Sequence, residues 1–191
     1  MTLIEHDTDE TAHHGAACVL CVGALAGVVG GVLMGLWGMI AGAASGQGPL
    51  AQLKLIGATF VGVDALVGGP GFVVWGLCLH LLVSAGWGVV FALVVGRDAA
   101  QGFALVVGLL FGVAVLAIMT FLVLPAADPI LRQRVPMMRD SWIVQHVLYG
   151  VGVAMFPLWR RLLMRRVDME RLRSFDRQHA RGGPPPAVPP L

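Results

Sequence analysis

Residues 76–96 read GLCLHLLVSAGWGVVFALVVG, and the spacing inside that stretch decides the fold. Gly76, His80, Ser84, Gly88, Ala92 and Gly96 recur one residue in four, and everything between them is apolar. An uncharged run of this length crosses a bilayer as a helix. Small residues four apart share one face of that helix and let another backbone approach closely. His80 lies on the same face, so it points into protein rather than toward lipid, where an imidazole would lack partners. A second stretch repeats the pattern with His146, Gly150 and Ala154.

Composition generalises the reading. Apolar residues make up 57% of the 191-residue chain, charged residues only 13%, and mean hydropathy is +0.81. No soluble domain has that balance. Neither Ala16–Leu53 nor Ala99–Ala127 contains a charged side chain. The chain therefore reads as an all-α polytopic membrane protein, a four-helix transmembrane bundle over residues 16–164. Its spans fall at about 16–44, 71–96, 102–124 and 141–159. The first is read as retained: Ala41-Gly42-Ala43 resembles a cleavage site, but the leading tail is acidic and the apolar run too long for a signal peptide.

Between spans one and two, Leu50, Leu53, Ile56 and Phe60 recur at helical spacing, with Gln52, Lys54 and Thr59 largely elsewhere. This predicts a short interfacial helix over about 49–62. The link between spans three and four holds Pro125, Pro129 and Pro136 and reads as irregular with a helical turn.

Charge sets the orientation. The tail 1–15 is acidic, with Glu5, Asp7, Asp9 and Glu10, whereas 165–191 is Arg-rich and then Pro-rich. Arg97 and the arginines from Arg160 to Arg181 make nine basic residues on one side of the membrane. Lys54, Arg132, Arg134 and Arg139 make four on the other. The positive-inside rule then puts both termini in the cytoplasm of a bacterial cell, at its inner membrane. The C-terminal arginines read as contacts for anionic headgroups rather than for nucleic acid.

The first span orders its glycines as Gly23, Gly27, Gly31 and Gly35, and the third carries Gly108 and Gly112. Chain order is thus small-residue helix, link, histidine helix, stated twice. We read two pseudo-repeated helical hairpins, with His80 matching His146. Gly23, Gly27, Gly31, Gly35, Gly76, Gly88, Gly108, Gly112 and Gly150 are the expected packing positions. The glycine run of the first span is longer than one neighbour needs, which points to a homo-oligomer or a larger membrane complex.

The expected polar centre is His80, Ser84, Gln145, His146 and Tyr149. Three readings of the histidines stay open. They can fill space beside glycine and hydrogen-bond locally, with Ser84, Gln145 and Tyr149 as partners. They can ligate haem b or a metal, because two imidazoles at similar depth on different helices suit axial ligation. They can line a proton or solute path. Asp64 is the one acid expected near the spans. Cys18-x-x-Cys21 lies in an apolar run without a second pair, so no metal site is expected there. No Gly-x-Ser-x-Gly or His-Glu-x-x-His occurs, and no Lys-Ser/Thr follows Gly68–Gly71 to make a phosphate loop, so no enzyme is expected. A structural or accessory membrane subunit without a cofactor is the leading expectation.

Three elements also carry a family likeness: Leu53-Lys-Leu-Ile-Gly-Ala-Thr59, the series His80, Ser84, Gly88, and the series His146, Tyr149, Gly150. Their order resembles a group of small four-span bacterial inner-membrane proteins of unknown function, over about Gly23–Arg161. The resemblance implies the fold and the membrane and no activity.

Overall fold

Backbone amides in lipid must pair within their own segment, so each long uncharged run folds as a helix. A computed structural model describes residues 5–180, with side chains from Cys18 and, beyond Arg166, only those of residues 169, 170, 173, 174 and 177. It is helical, with no strand among the described residues. The elements are α1 (Glu5–Ala44), α2 (Ala51–Val61), α3 (Asp64–Val67), α4 (Pro70–Val95), α5 (Gln101–Ile118), α6 (Leu124–Ala127), α7 (Pro129–Arg134), α8 (Arg139–Val153) and α9 (Phe156–Ala180). Four stretches are long and apolar enough to cross a membrane: Cys18–Ala44, Pro70–Val95, Gln101–Ala127 and Pro129–Arg166. The chain is a multi-pass membrane protein. Residues 1–157 form one compact unit and 158–191 another, whose described part is helix. The expected acidic tail is helical from Glu5, within α1, while residues 1–4 and the Pro-rich end 181–191 lie outside the described residues.

Two helices depart from ideal geometry, and proline accounts for each. Pro125 has no N–H to donate and crowds the turn before it. The third span accordingly passes through a π-helical turn, Met119–Val123, before α6. Pro157 likewise ends α8, and Ala154–Met155 form a break before α9. At that break Ala154 O accepts a hydrogen bond from Gln101 Nε2 at 2.9 Å.

The close pairs are α1 with α4, α5 with α8, and α1 with α8; α4 and α5, though joined only by the short link 96–100, touch sparsely. Both tight hairpins interlock in the same way. A methyl group built on Gly23 would lie 2.6 Å from Ala92 Cβ, and one on Gly27 would lie 2.8 Å from Gly88 Cα. On the other hairpin, Gly108 meets Ala154 Cβ at 2.8 Å and Gly112 meets Gly150 Cα at 3.1 Å. Carried one turn further, this register aligns His146 with Ser84, and His80 with Trp142. The expected match of His80 to His146 is therefore off by one turn. His80 is seventeen residues from Arg97 and His146 fourteen from Arg160, and that difference is a true offset along the helices.

The run of glycines in α1 serves three neighbours inside the bundle. Gly23, Gly27 and Gly31 face α4, Gly30 lies against Tyr149 of α8, and Gly38 abuts the Gln52 side chain of α2.

Candidate functional site

The polar residues of α2 turn inward. Leu53, Leu55, Gly57 and Ala58 are buried, and the helix packs on α4 and against α7. Gly76 meets the Leu53 carbonyl so closely that no side chain fits between them. Gln52 Nε2 donates to Gln145 Oε1 on α8. Thr59 Oγ1 donates to Asp128 Oδ2 at 2.7 Å. Lys54 Nζ donates to the carbonyls of Gly68 at 3.0 Å and Leu66 at 3.5 Å, at the end of α3. The expected helix is present, but it is held among other helices and shows apolar Phe60 and Val61 outward.

Asp128 corrects the expectation about acids. Asp64 is exposed, whereas Asp128 is 1% exposed. Its side chain caps α7, accepting from Leu131 N at 2.9 Å, and takes the Thr59 hydroxyl on its other oxygen. Asp followed by Pro129 at the first helical position was the available signal, because that order marks a helix start.

His80 and His146 each use one ring nitrogen on a backbone carbonyl. His80 Nε2 lies 2.9 Å from Gly31 O on α1, and His146 Nδ1 lies 2.8 Å from Trp142 O one turn back. A carbonyl only accepts, so both nitrogens carry the proton. The remaining nitrogens, His80 Nδ1 and His146 Nε2, are acceptors in the neutral rings. The Trp142 indole stacks edge-on against His146 with centroids 4.5 Å apart and donates Nε1 to Thr120 Oγ1 of the π-helical turn at 2.9 Å.

The expected partners of the imidazoles bond elsewhere. Tyr149 Oη donates to Ser84 O at 2.7 Å, Ser84 Oγ donates to His80 O at 2.7 Å, and Gln145 Nε2 reaches Ser141 Oγ at 3.1 Å. Together these bonds run from α8 through α4 to α1. His80 sits beside Gly31 and Gly35, and the His146 backbone packs on Gly112.

His80, His146, Ser84, Tyr149, Thr59, Asp128 and Gln52 line one cavity of about 190 Å³, whose remaining wall is apolar. A second cavity of about 310 Å³ lies beside it, lined by Ser45, Gln47, Arg139, Asp140 and Ser141. Gln52 borders both, and its bond to Gln145 stands between them. Sequence reasoning missed Gln52, Thr59, Asp128 and Trp142 as members of this site. The inner cavity is smaller than the ~300–1,000 Å³ that drug-sized ligands occupy, and a haem is larger than most of those. Gly31 O holds His80 Nε2 and Trp142 O holds His146 Nδ1, so His80 Nδ1 and His146 Nε2 are the nitrogens left to a ligand. No group of three metal-ligating side chains occurs among the described residues. Cys18, Cys21 and Cys78 are free thiols. Comparison of the chain with protein-family models, curated proteins and solved structures returned no match.

Proposed function

We propose that this chain is a protein of a bacterial inner membrane, with both termini cytoplasmic, that binds a small neutral molecule in the cavity between its spans. The observation that carries the reading is the inner cavity itself. It gathers two imidazoles, a phenol, two hydroxyls and a carboxylate from α2, α4, α8 and the cap of α7 at one place in the bundle. A bundle needing only to pack would fill such a space, because polar groups in lipid are costly and mark function when kept. The interlock shared by the α1–α4 and α5–α8 pairs supports duplication of a two-helix unit. The nine-to-four distribution of Lys and Arg supports the orientation. Association through small-residue faces draws less support, since the glycines of α1 lie against α4, α8 and Gln52.

Native mass spectrometry from nanodiscs tests the reading. The wild type is expected to retain a small molecule that Ala127→Phe, which fills the cavity from α6, releases. Finding both the wild type and the variant at their own ligand-free masses, after expression in the native host, would refute it.

A further inference from the structure

The inner cavity has a side that faces neither aqueous surface. It lies between α4 and α5, the pair with the sparse contact. These helices meet where Phe91 and Trp87 pack edge-on against Phe111, with ring centroids 5.3 and 6.0 Å apart. Those contacts lie toward the Arg97 link. Beyond them, Val83 of α4 and Met119 and Val123 of the π-helical turn line the cavity. Val83 is 45% exposed, and Phe60, also in the lining, is 71% exposed. Val83 also stands at the middle of α4, which runs Pro70–Val95. The mouth therefore extends from the middle of α4 into the half of the spans away from the Arg97 link and is rimmed by apolar side chains, while the Gln52–Gln145 bond lies toward the outer cavity.

Apart from the second N–H of Gln52, on the wall toward the outer cavity, the side-chain polar atoms left inside are acceptors. Tyr149 and Ser84 have given their only hydroxyl protons to Ser84 O and His80 O, and the one proton of Thr59 is taken up between Ile56 O at 2.6 Å and Asp128 Oδ2 at 2.7 Å. Both histidines have given their N–H to carbonyls. What remains for a ligand is lone pairs: His80 Nδ1, His146 Nε2 and the hydroxyl oxygens. A carbonyl or ether entering this space finds acceptors facing acceptors. A hydroxyl finds partners at once, and leaving them unpaired in lipid costs ~1–3 kcal/mol per group.

We infer that the cavity takes a membrane-dissolved molecule with a neutral hydroxyl head, entering sideways from lipid between α4 and α5 with its apolar tail left at the mouth. This rests on the cavity being a binding site. The test uses the full chain in lipid vesicles and three photoreactive probes. They are decanol with a diazirine near its hydroxyl, the methyl ether of the same compound, and a diazirine-bearing ethanol added from water. The decanol probe is expected to label peptides containing Val83, Met119 and His146. Labelling should fall at least tenfold with the ether, and at least tenfold in Val83→Trp and in Met119→Trp, which plug the mouth from opposite sides. Leu110→Trp, on an exposed lipid face of α5, should leave it unchanged, and thermal melts confirm that each variant is folded. Equal labelling by alcohol and ether would overturn the requirement for a donor. Cavity labelling by the ethanol probe that Ser141→Trp in the outer cavity abolishes and Val83→Trp spares would overturn the lateral route, while leaving the cavity a binding site. No cavity labelling by any probe would overturn both the inference and the reading beneath it.

Discussion

At the scale of single residues, the bundle depends on places where a hydrogen atom is all that fits. A methyl group on Gly112 would overlap the His146 carbonyl and press on Gly150 Cα at 3.1 Å, and both are backbone that cannot turn aside. Gly86, on the same kind of helix, has nothing within 4 Å. Gly112→Ala should therefore destabilise the protein by about 1–3 kcal/mol through overpacking, whereas Gly86→Ala should be neutral or slightly stabilising through helix propensity. Unfolding in mixed detergent, with the two variants side by side, measures the contrast. Sequence spacing did reveal the packing glycines, because the four-residue period is a local property of one helix. It did not reveal their partners. Gln52 bonds a residue 93 positions away and Thr59 one 69 positions away. Such pairs arise only once the links have folded back, so no window along the chain contains both members. The histidines show the same limit: their depth was countable, but their acceptors are backbone carbonyls, which no side-chain pattern announces.

At the scale of elements, the connections between spans hold the site together. Asp128 starts α7, receives Thr59 from α2, and so ties the two links to each other. Asp128→Ala removes the cap and leaves the Thr59 hydroxyl only its bond to Ile56 O, within α2. A cap alone contributes about 1 kcal/mol. The expected result is loss of that stability together with faster deuterium exchange at the Leu131 amide, while amides in the middle of α4 stay protected. Uniform loss of protection would show instead that α7 does not move as a local unit. The helical character of α2 was legible from Leu50, Leu53, Ile56 and Phe60. Its setting was not, because a helix lying on an interface and one wedged between spans share the same period. They differ in whether Gln52, Lys54 and Thr59 meet water or protein, which is a tertiary fact. The π-helical turn had only Pro125 to signal it.

At the scale of the whole molecule, the four spans were legible because lipid excludes charge, and the uncharged runs record that exclusion directly. The orientation is open to a direct check. Gln47 and Asp98 are both exposed and sit in links at opposite ends of the spans. With the native cysteines replaced, Gln47→Cys is expected to react with a membrane-impermeant maleimide in intact spheroplasts, and Asp98→Cys only after lysis. The reverse pattern would invert the topology. A further consequence follows from the lengths of the first three spans, which are 27, 26 and 27 residues. At ~1.5 Å per residue each is about 40 Å long, against a hydrocarbon layer of ~30 Å. Such helices match an ordinary bilayer by tilting or by thickening it locally. Glycine contacts lock α1 to α4 and α5 to α8, and Gly30 against Gly152 joins α1 to α8, so the two pairs can pivot only about that α1–α8 contact. Adjustment then falls on the loosely joined seam between α4 and α5. The thickness of the surrounding bilayer thereby acts on the width of that seam, which makes the lipid a mechanical determinant of this fold as well as its solvent.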